Sequence, residues 1–484
     1  MINIMPKNAQ VALLPPRFVI AAPQGRSGKT TVSIAICAAL KQRNLAVQPF
    51  KKGPDYIDPS WLTAASGRSC HNLDSFSMDE EVIIKSFQRV LKDADVAIIE
   101  GAMGLFDGYD ISGSGSTAHL AKMLKAPVCL VVNTMRMTHS IAAMVMGYQH
   151  FDRDTHIAGI ILNNVANSRH EKKLVSAVEQ YCEIPILGSI PKDQDVNITE
   201  RHLGLIPFKE SVQATSILNH IKERVIPYLN VDKLLTIARD AQEYFVPESQ
   251  PAPAKHPVVK IGVLFDRVFN FYYPENLDAL RTEGAEIIYI NSLKEQELHD
   301  IDGLYIGGGF PELFLSELQN NKGLRKKIAS AIENGLPVYA ECAGLMYLCR
   351  GIHWQNKWYA MVGIIPADVE VFKRPQGHGY VEVEVVSENP FFPLGLTFKG
   401  HEFHHSRLTN LNGLKFAYRI KRGHGVNNTG DGIFYKNIFA SYTHLHALGA
   451  PNWAKAFVAL ILRQKFKNKQ PSINKKMMES QKNI

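Results

Sequence analysis

The sequence predicts two consecutive α/β domains, the first a parallel sheet carrying a phosphate-binding loop. Three observations carry this prediction. Short Val- and Ile-rich runs alternate with amphipathic stretches through the first half. A proline-rich stretch interrupts that pattern. The alternation then restarts, with a cysteine at a strand-to-helix turn.

In the first half the apolar runs are FVIAA, AVQPF, VAIIE, VCLVV, IAGIIL and IPILGSI. Near-continuous apolar strands alternating with helices indicate a parallel sheet covered on both faces. This domain is expected over 17–245. The stretch VPESQPAPAKHP, 246–257, has four prolines and little apolar periodicity, so it reads as an extended linker. VVKIGVLFD, EIIYI, GLYIGGGFPEL and LPVYAECAGLMYL open the second domain, and YVEVEVV and NIFASYTHLH follow. It is expected over 258–465, with a basic, disordered tail at 466–484.

Composition narrows the class. The 484 residues are 45% hydrophobic and 21% charged, as in ordinary globular proteins. No apolar run approaches the ~20 residues of a membrane span. The segment MINIMPKNAQVALLPPRF is a poor secretory signal, so a cytoplasmic location is expected and no membrane partner. Net charge is +8. Most of it lies in residues 463–484, which carry Arg463, Lys465, Lys467, Lys469, Lys475, Lys476 and Lys482 against Glu479. The remainder is nearly balanced, so no nucleic-acid partner is expected. The six cysteines form no CxxC pair. Five read as small buried hydrophobes.

The stretch APQGRSGKTT, 22–31, lies between an apolar strand run and an apolar-periodic helix run. Backbone N–H groups of a glycine-rich turn and a helix N-terminus cradle phosphate oxygens. The usual pattern is G-x-x-x-x-G-K-[ST]. Here Pro23 stands at the first glycine position, and Gly25 is expected to restore flexibility. Gly25, Ser27, Gly28, Lys29, Thr30 and Thr31 are the candidate nucleotide-binding residues. Lys29 neutralises the outer phosphates, and Thr30 offers its hydroxyl to Mg²⁺. Acidic metal partners are expected where strands end. Asp55 and Asp58 follow AVQPF, while Glu100 ends VAIIE and Asp107 follows it.

In the second half, PVYAECAGLMYL places Cys342 at a strand-to-helix elbow. Such a turn exposes a nucleophile and aims helix N–H groups at it. The helix terminus is expected to lower the thiol pKa. Ala343 supplies the small residue needed next, provided that its φ is negative. NIFASYTHLHALG adds His444 and His446, one of which is the candidate general base. Gly308 and Gly309 in GLYIGGGFPE are candidates, with Ala343, for an oxyanion hole. HEFHH, 401–405, matches H-E-x-x-H by its letters. That zinc motif needs a helix, whereas Gly400, Phe403 and Ser406 suggest a strand or loop.

FKKGPDYIDP, IEGAMGLFDG, GSTAHLAKMLKAPVCLVVN, GIILNNV, ERHLGL and ECAGLMYL together resemble the glutamine-hydrolysing amidotransferases of corrinoid biosynthesis, over about 17–460. The resemblance implies a dethiobiotin-synthetase-like P-loop domain, then a class I glutamine amidotransferase domain of flavodoxin-like α/β type. It implies that Asn163 reads the adenine edge. It places Lys51, Tyr56, Asp58 and Asp107 towards the substrate carboxylate and transferring phosphoryl, with Thr30, Asp55 and Glu100 at the metal. Lys52 departs from the family's usual small apolar residue, leaving open which lysine faces the site. In the branch most similar to this chain, the catalytic histidine matches His444. Many class I relatives carry an acid two residues further on, where this chain has His446, so the third member of the Cys342–His444 site is left open. The implied ligands are ATP, Mg²⁺, L-glutamine and cobyrinic acid, amidated at its a and c carboxylates, for which Lys373 and Arg374 offer positive charge. Hydrogenobyrinate and nickel-sirohydrochlorin are alternative substrates, and a homodimer is left open. A P-loop switch of the partition-ATPase type is the non-enzymatic alternative; it needs no cysteine elbow.

Overall fold

The computed structural model describes residues 11–193, 200–201, 204–247 and 256–481. The chain forms two compact units, Met1–Pro251 and Ala252–Ile484.

The first unit is built on seven parallel strands: β1 (Arg17–Ala21), β2 (Val47–Lys52), β3 (His71–Leu73), β4 (Val96–Glu100), β5 (Val128–Asn133), β6 (Ile157–Val165) and β7 (Ile186–Pro191). Their spatial order is β3-β2-β4-β1-β5-β6-β7. The central strands β1, β2 and β4 are buried at every residue. That is why Phe18–Ala21 of β1 and Val96–Ile99 of β4 are continuously apolar rather than alternating, while β2 buries Gln48, Lys51 and Lys52 as well. Helix α1 (Lys29–Gln42) follows β1, and α2 (Ile57–Ser66) follows β2. Ile34, Ile36 and Leu40 of α1 share a core with Phe18 and Ile20 of β1 and Ile98 of β4. Parallel packing brings the carboxyl ends of β1, β2 and β4 side by side, and the first candidate site lies there.

The second unit has a nine-stranded mixed sheet. Its strands are β8 (Val259–Leu264), β9 (Ala285–Ile290), β10 (Gly303–Ile306), β11 (Val338–Glu341), β12 (Gly377–Val385), β13 (Thr397–His404), β14 (Phe416–Arg422), β15 (Gly430–Tyr435) and β16 (Ile438–Ser441). The order is β9-β8-β10-β11-β16-β15-β14-β12-β13. Pairings from β9 to β16 are parallel, and those beyond β16 are antiparallel. Side chains alternate across this sheet with period two. Leu304, Ile306, Val338 and Ala340 enter one core, while Tyr305 and Tyr339 enter the other with Trp453 and Phe457. Glu341 shares the parity of Tyr339, and Cys342 that of Ala340. Helix α3 (Pro274–Thr282) lies between β8 and β9, and the short α4 (Ala343–Leu348) follows β11.

Two sequence expectations change. Val246 and Pro247, assigned to the linker, end a short strand (Phe245–Pro247) paired with Val11–Leu13. Residues 248–255 of that linker lie outside the described residues. The basic segment assigned to a disordered tail continues the last helix, Trp453–Gln481. Its Lys, Gln and Met residues are good helix formers.

Candidate active site

Each unit holds a cluster of reactive side chains. In the first, Gly28 caps α1 with φ +93°, and no side chain caps that helix start. Its orphan N–H groups therefore face the loop. A Cβ on Gly28 would collide with the Asn163 amide, which donates to the Ser27 carbonyl at 2.9 Å. Gly25 does not provide the loop's unusual backbone. The space around it is open, and the second positive φ, +58°, falls on Arg26. Ser27 closes the turn by donating to the Gln24 carbonyl at 2.9 Å. Lys29 donates to the Met103 carbonyl at 2.8 Å, bringing the loop after β4 against the P-loop. Thr31 continues the first turn of α1 and is half-buried.

The strand ends converge on Lys51. Its ammonium lies 2.5 Å from Asp58, 2.9 Å from Glu100 and 3.8 Å from Asp55. Thr30 donates to Glu100 at 2.7 Å and to Asp58 at 3.2 Å. Burial alone would lower the Lys51 pKa, but Asp58, Glu100 and Asp55 outweigh it and hold it well above the usual lysine value. Burial, then the charge of Lys51, lowers the Lys29 pKa. Burial also raises Glu100, whose Oε2 is buried with no hydrogen-bond partner.

Several sequence-assigned residues shift within this cluster. Asp58, assigned to the carboxylate side, meets Thr30 directly. Asp55 is turned towards capping, with Oδ1 accepting from the N–H groups of Ile57 and Asp58 at 2.8 and 3.2 Å. The lysine facing this rim is Lys51. Lys52, next on the strand, has the opposite parity and interacts most strongly with Asp74. Tyr56 is half-buried at the start of α2. Asp107 is exposed and accepts from the Gly104 N–H at 2.8 Å.

In the second unit, Cys342 has φ +48° and ψ −99° between β11 and α4. This is the strained elbow its sequence setting predicts. Ala343 begins the helix and is absent from the positive-φ residues. Gly344 is the glycine that the elbow requires: a Cβ there would collide with the Ile306 carbonyl. Burial pushes the Cys342 thiol up, Glu312 adds to the rise, and a bond from the Ala343 N–H opposes it. The expected depression of the thiol pKa does not occur. Desolvation of the buried thiol outweighs the Ala343 N–H at this helix start.

His444 is 1% exposed. It follows β16, the strand that pairs with β11, and the Cys342 N–H donates to Ser441 at 2.7 Å. Gly308 packs against its ring: a Cβ there would lie 2.5 Å from Cε1 and 3.3 Å from Nε2. Gly308 and Gly309 form a short strand paired with Phe269–Phe271. His401 stacks on His444 with centroids 4.9 Å apart. The HEFHH letters lie on β13 and the bend after it, and they do not converge. His401 approaches Tyr273, Glu402 and His404 approach each other, and His405 faces the Phe372 carbonyl. Among the described residues, no group of three or more His, Cys, Asp or Glu side chains is arranged to hold a metal ion. No described helix is long and apolar enough to cross a membrane.

The sequence reading missed Glu341, Tyr273, Glu275 and Asn276. Glu341 was open to detection: an acid immediately before a nucleophile, ending a buried strand, is costly unless it has partners. The other three come from α3 and the turn before it, and no sequence spacing links them to His444.

The model of the CobQ/CobB/MinD/ParA nucleotide binding domain matches residues 18–206. That of the CobB/CobQ-like glutamine amidotransferase domain matches residues 260–452. Fold and sites together define a glutamine-dependent amidotransferase of the ligase class. A cobyrinate a,c-diamide synthase of Magnetococcus marinus is 45% identical over 463 residues, covering 94% of this chain and 99% of that one. Cobyrinate a,c-diamide synthases of Archaeoglobus fulgidus and Methanosarcina acetivorans are 41% and 40% identical, covering 93% and 92% of this chain and 98% and 95% of theirs. The chain belongs to the cobyrinate a,c-diamide synthase family.

Proposed function

We propose that this protein amidates the a and c carboxylates of cobyrinic acid, using ATP and the amide nitrogen of L-glutamine, in the cytoplasm. The observation that carries this reading is the presence, on one chain, of a P-loop rim and of a cysteine elbow whose strand pairs with the one leading to a buried histidine. The cobyrinate a,c-diamide synthases matched over more than nine-tenths of the chain support the substrate.

A carboxylate does not react with ammonia at neutral pH, because its oxygen is a poor leaving group. Attack of the carboxylate on the γ-phosphorus of ATP gives an acyl phosphate and ADP. Ammonia then attacks the acyl carbon and releases phosphate, leaving the amide. Lys29 balances charge on the transferring phosphoryl group. Lys51, with Tyr56, Asp58 and Asp107, borders the carboxylate, and Asn163 reads the adenine edge. The orphaned oxygen of Glu100, whose other oxygen accepts from the Thr30 hydroxyl, fits a magnesium ion, which needs only one or two carboxylates besides phosphate oxygens. When bound, Mg²⁺ neutralises charge on the phosphates.

In the second unit, His444 takes the Cys342 proton as the sulfur attacks the glutamine carboxamide. The same proton passes to the leaving nitrogen, and ammonia departs from a thioester. Water hydrolyses the thioester to glutamate. The N–H of Ala343 and those of Gly308 and Gly309 stabilise the oxyanion.

The test is mass spectrometry of cobyrinic acid incubated with protein, ATP, Mg²⁺ and glutamine. Each hydroxyl-to-amide exchange lowers the mass by about one unit, and two successive exchanges are expected. Unchanged cobyrinic acid, with turnover of hydrogenobyrinate or nickel-sirohydrochlorin instead, moves the substrate and keeps the chemistry.

A further inference from the structure

We infer that Glu341 is the carboxylate that positions His444, so that the strand delivering Cys342 also supplies the acid of the glutaminase site. This rests on the reading of Cys342 and His444 as nucleophile and base.

The position two residues beyond the histidine is occupied by His446. It lies 3.4 Å from Glu275 and packs on Tyr273, with ring centroids 4.5 Å apart. It brings no carboxylate of its own to His444. Glu341 does. Its Oε2 is 3.7 Å from His444 Nδ1, and both side chains are 1% exposed. Its Oε1 accepts from the N–H of Leu445, the residue after His444, at 3.1 Å. Tyr305 donates to Oε2 at 3.0 Å and Tyr339 to Oε1 at 3.2 Å. Three donors thus aim at an acceptor-only carboxylate, and they offset the cost of burying it. Asn276 braces the same turn by donating to the Leu445 carbonyl at 2.8 Å and accepting from the Ala447 N–H at 2.7 Å.

Sheet parity explains how one strand serves both ends of the site. Successive residues of a strand point to opposite faces. Glu341 therefore joins the Tyr305–Tyr339 face, while Cys342 turns at the elbow towards the other. With Nδ1 of His444 turned to Glu341, Nε2 lies on the Gly308 side, which is left as the basic nitrogen. The titratable groups around His444 are Glu341 on β11, Cys342 at the elbow after it, His401 on β13 and, along its own loop, His446 with Glu275 on α3. Of these, Glu341 is the acid that faces the His444 ring.

The experiment is steady-state glutamine hydrolysis against pH for wild type, Glu341→Gln, Glu341→Asp, Tyr305→Phe and His444→Ala. Glu341→Gln is expected to lower kcat by about 10²–10³-fold with KM changed less than about threefold. Loss of the carboxylate destabilises the imidazolium, so the acid limb of kcat/KM moves to lower pH. Glu341→Asp restores part of the rate. A Glu341→Gln kcat within threefold of wild type overturns the inference, as does an acid limb that stays in place while both Glu341 variants are equally slow. If Glu341→Gln does not fold, Tyr305→Phe decides. Removing one donor from Oε2 leaves the carboxylate freer for His444, and the acid limb moves to higher pH; an unmoved limb overturns the inference. If His444→Ala still hydrolyses glutamine, the reading of His444 as base fails. An inactive His444→Ala beside a fully active Glu341→Gln removes the positioning role alone.

Discussion

The Lys51 ammonium and the Glu100 carboxylate form a buried ion pair, 2.9 Å apart, at the carboxyl ends of neighbouring strands. Removing one partner of such a pair leaves an uncompensated charge in the interior. Lys51→Met is expected to destabilise the first unit by roughly 3–5 kcal/mol. Denaturant titration measures this, and a loss below about 1 kcal/mol contradicts the caged geometry.

Lys29 has a different task. Its ammonium bonds a backbone carbonyl and, among the described residues, no carboxylate within hydrogen-bond distance, so folding does not require its charge. Lys29→Ala is expected to melt within a few degrees of wild type while losing amide synthesis with either glutamine or ammonium. Retained synthesis ends the P-loop assignment.

Cys342→Ser separates the two half-reactions. Glutamine-dependent synthesis is expected to disappear, and synthesis supplied with free ammonium to continue. Loss of both in a folded variant makes Cys342 structural.

Gly344→Ala probes the elbow. The added methyl meets the Ile306 carbonyl, a backbone atom that cannot swing aside. A loss of about 1–3 kcal/mol, with slowed glutamine hydrolysis, is expected. Ala343 tolerates its methyl because the strained φ belongs to Cys342. An unchanged Gly344→Ala variant contradicts this packing.

His401 couples stability to pH. Burial, then the charges of His444, His446 and His378, holds its pKa well below the ordinary value of 6.5. Below about pH 6.5 the unfolded chain binds this proton and the folded chain does not, so stability falls as pH falls. His401→Gln removes the contribution. Between pH 6.5 and 5 its stability is expected to fall less steeply than wild type, by up to about 1.4 kcal/mol per pH unit. Parallel stability curves for the two proteins count against a neutral buried His401.

Local chemistry was legible in the amino-acid order. The apolar runs of β1 and β4 mark a buried parallel sheet, because strands covered on both faces admit few polar residues. Lys29 and Thr30 announce a phosphate loop, and Cys342 an elbow, because each feature lies within a few consecutive residues. Tertiary structure alone decided the partners. Lys51 is chosen over Lys52 by strand parity. Asp58 rather than Asp55 meets Thr30, because Asp55 caps the helix that follows it. Glu341 faces His444, over a hundred residues away, because β11 and β16 pair in parallel. Sequence encodes turn chemistry and periodicity over short ranges, but which carboxylate meets which base depends on strand order and register, and these are settled only when the sheet assembles.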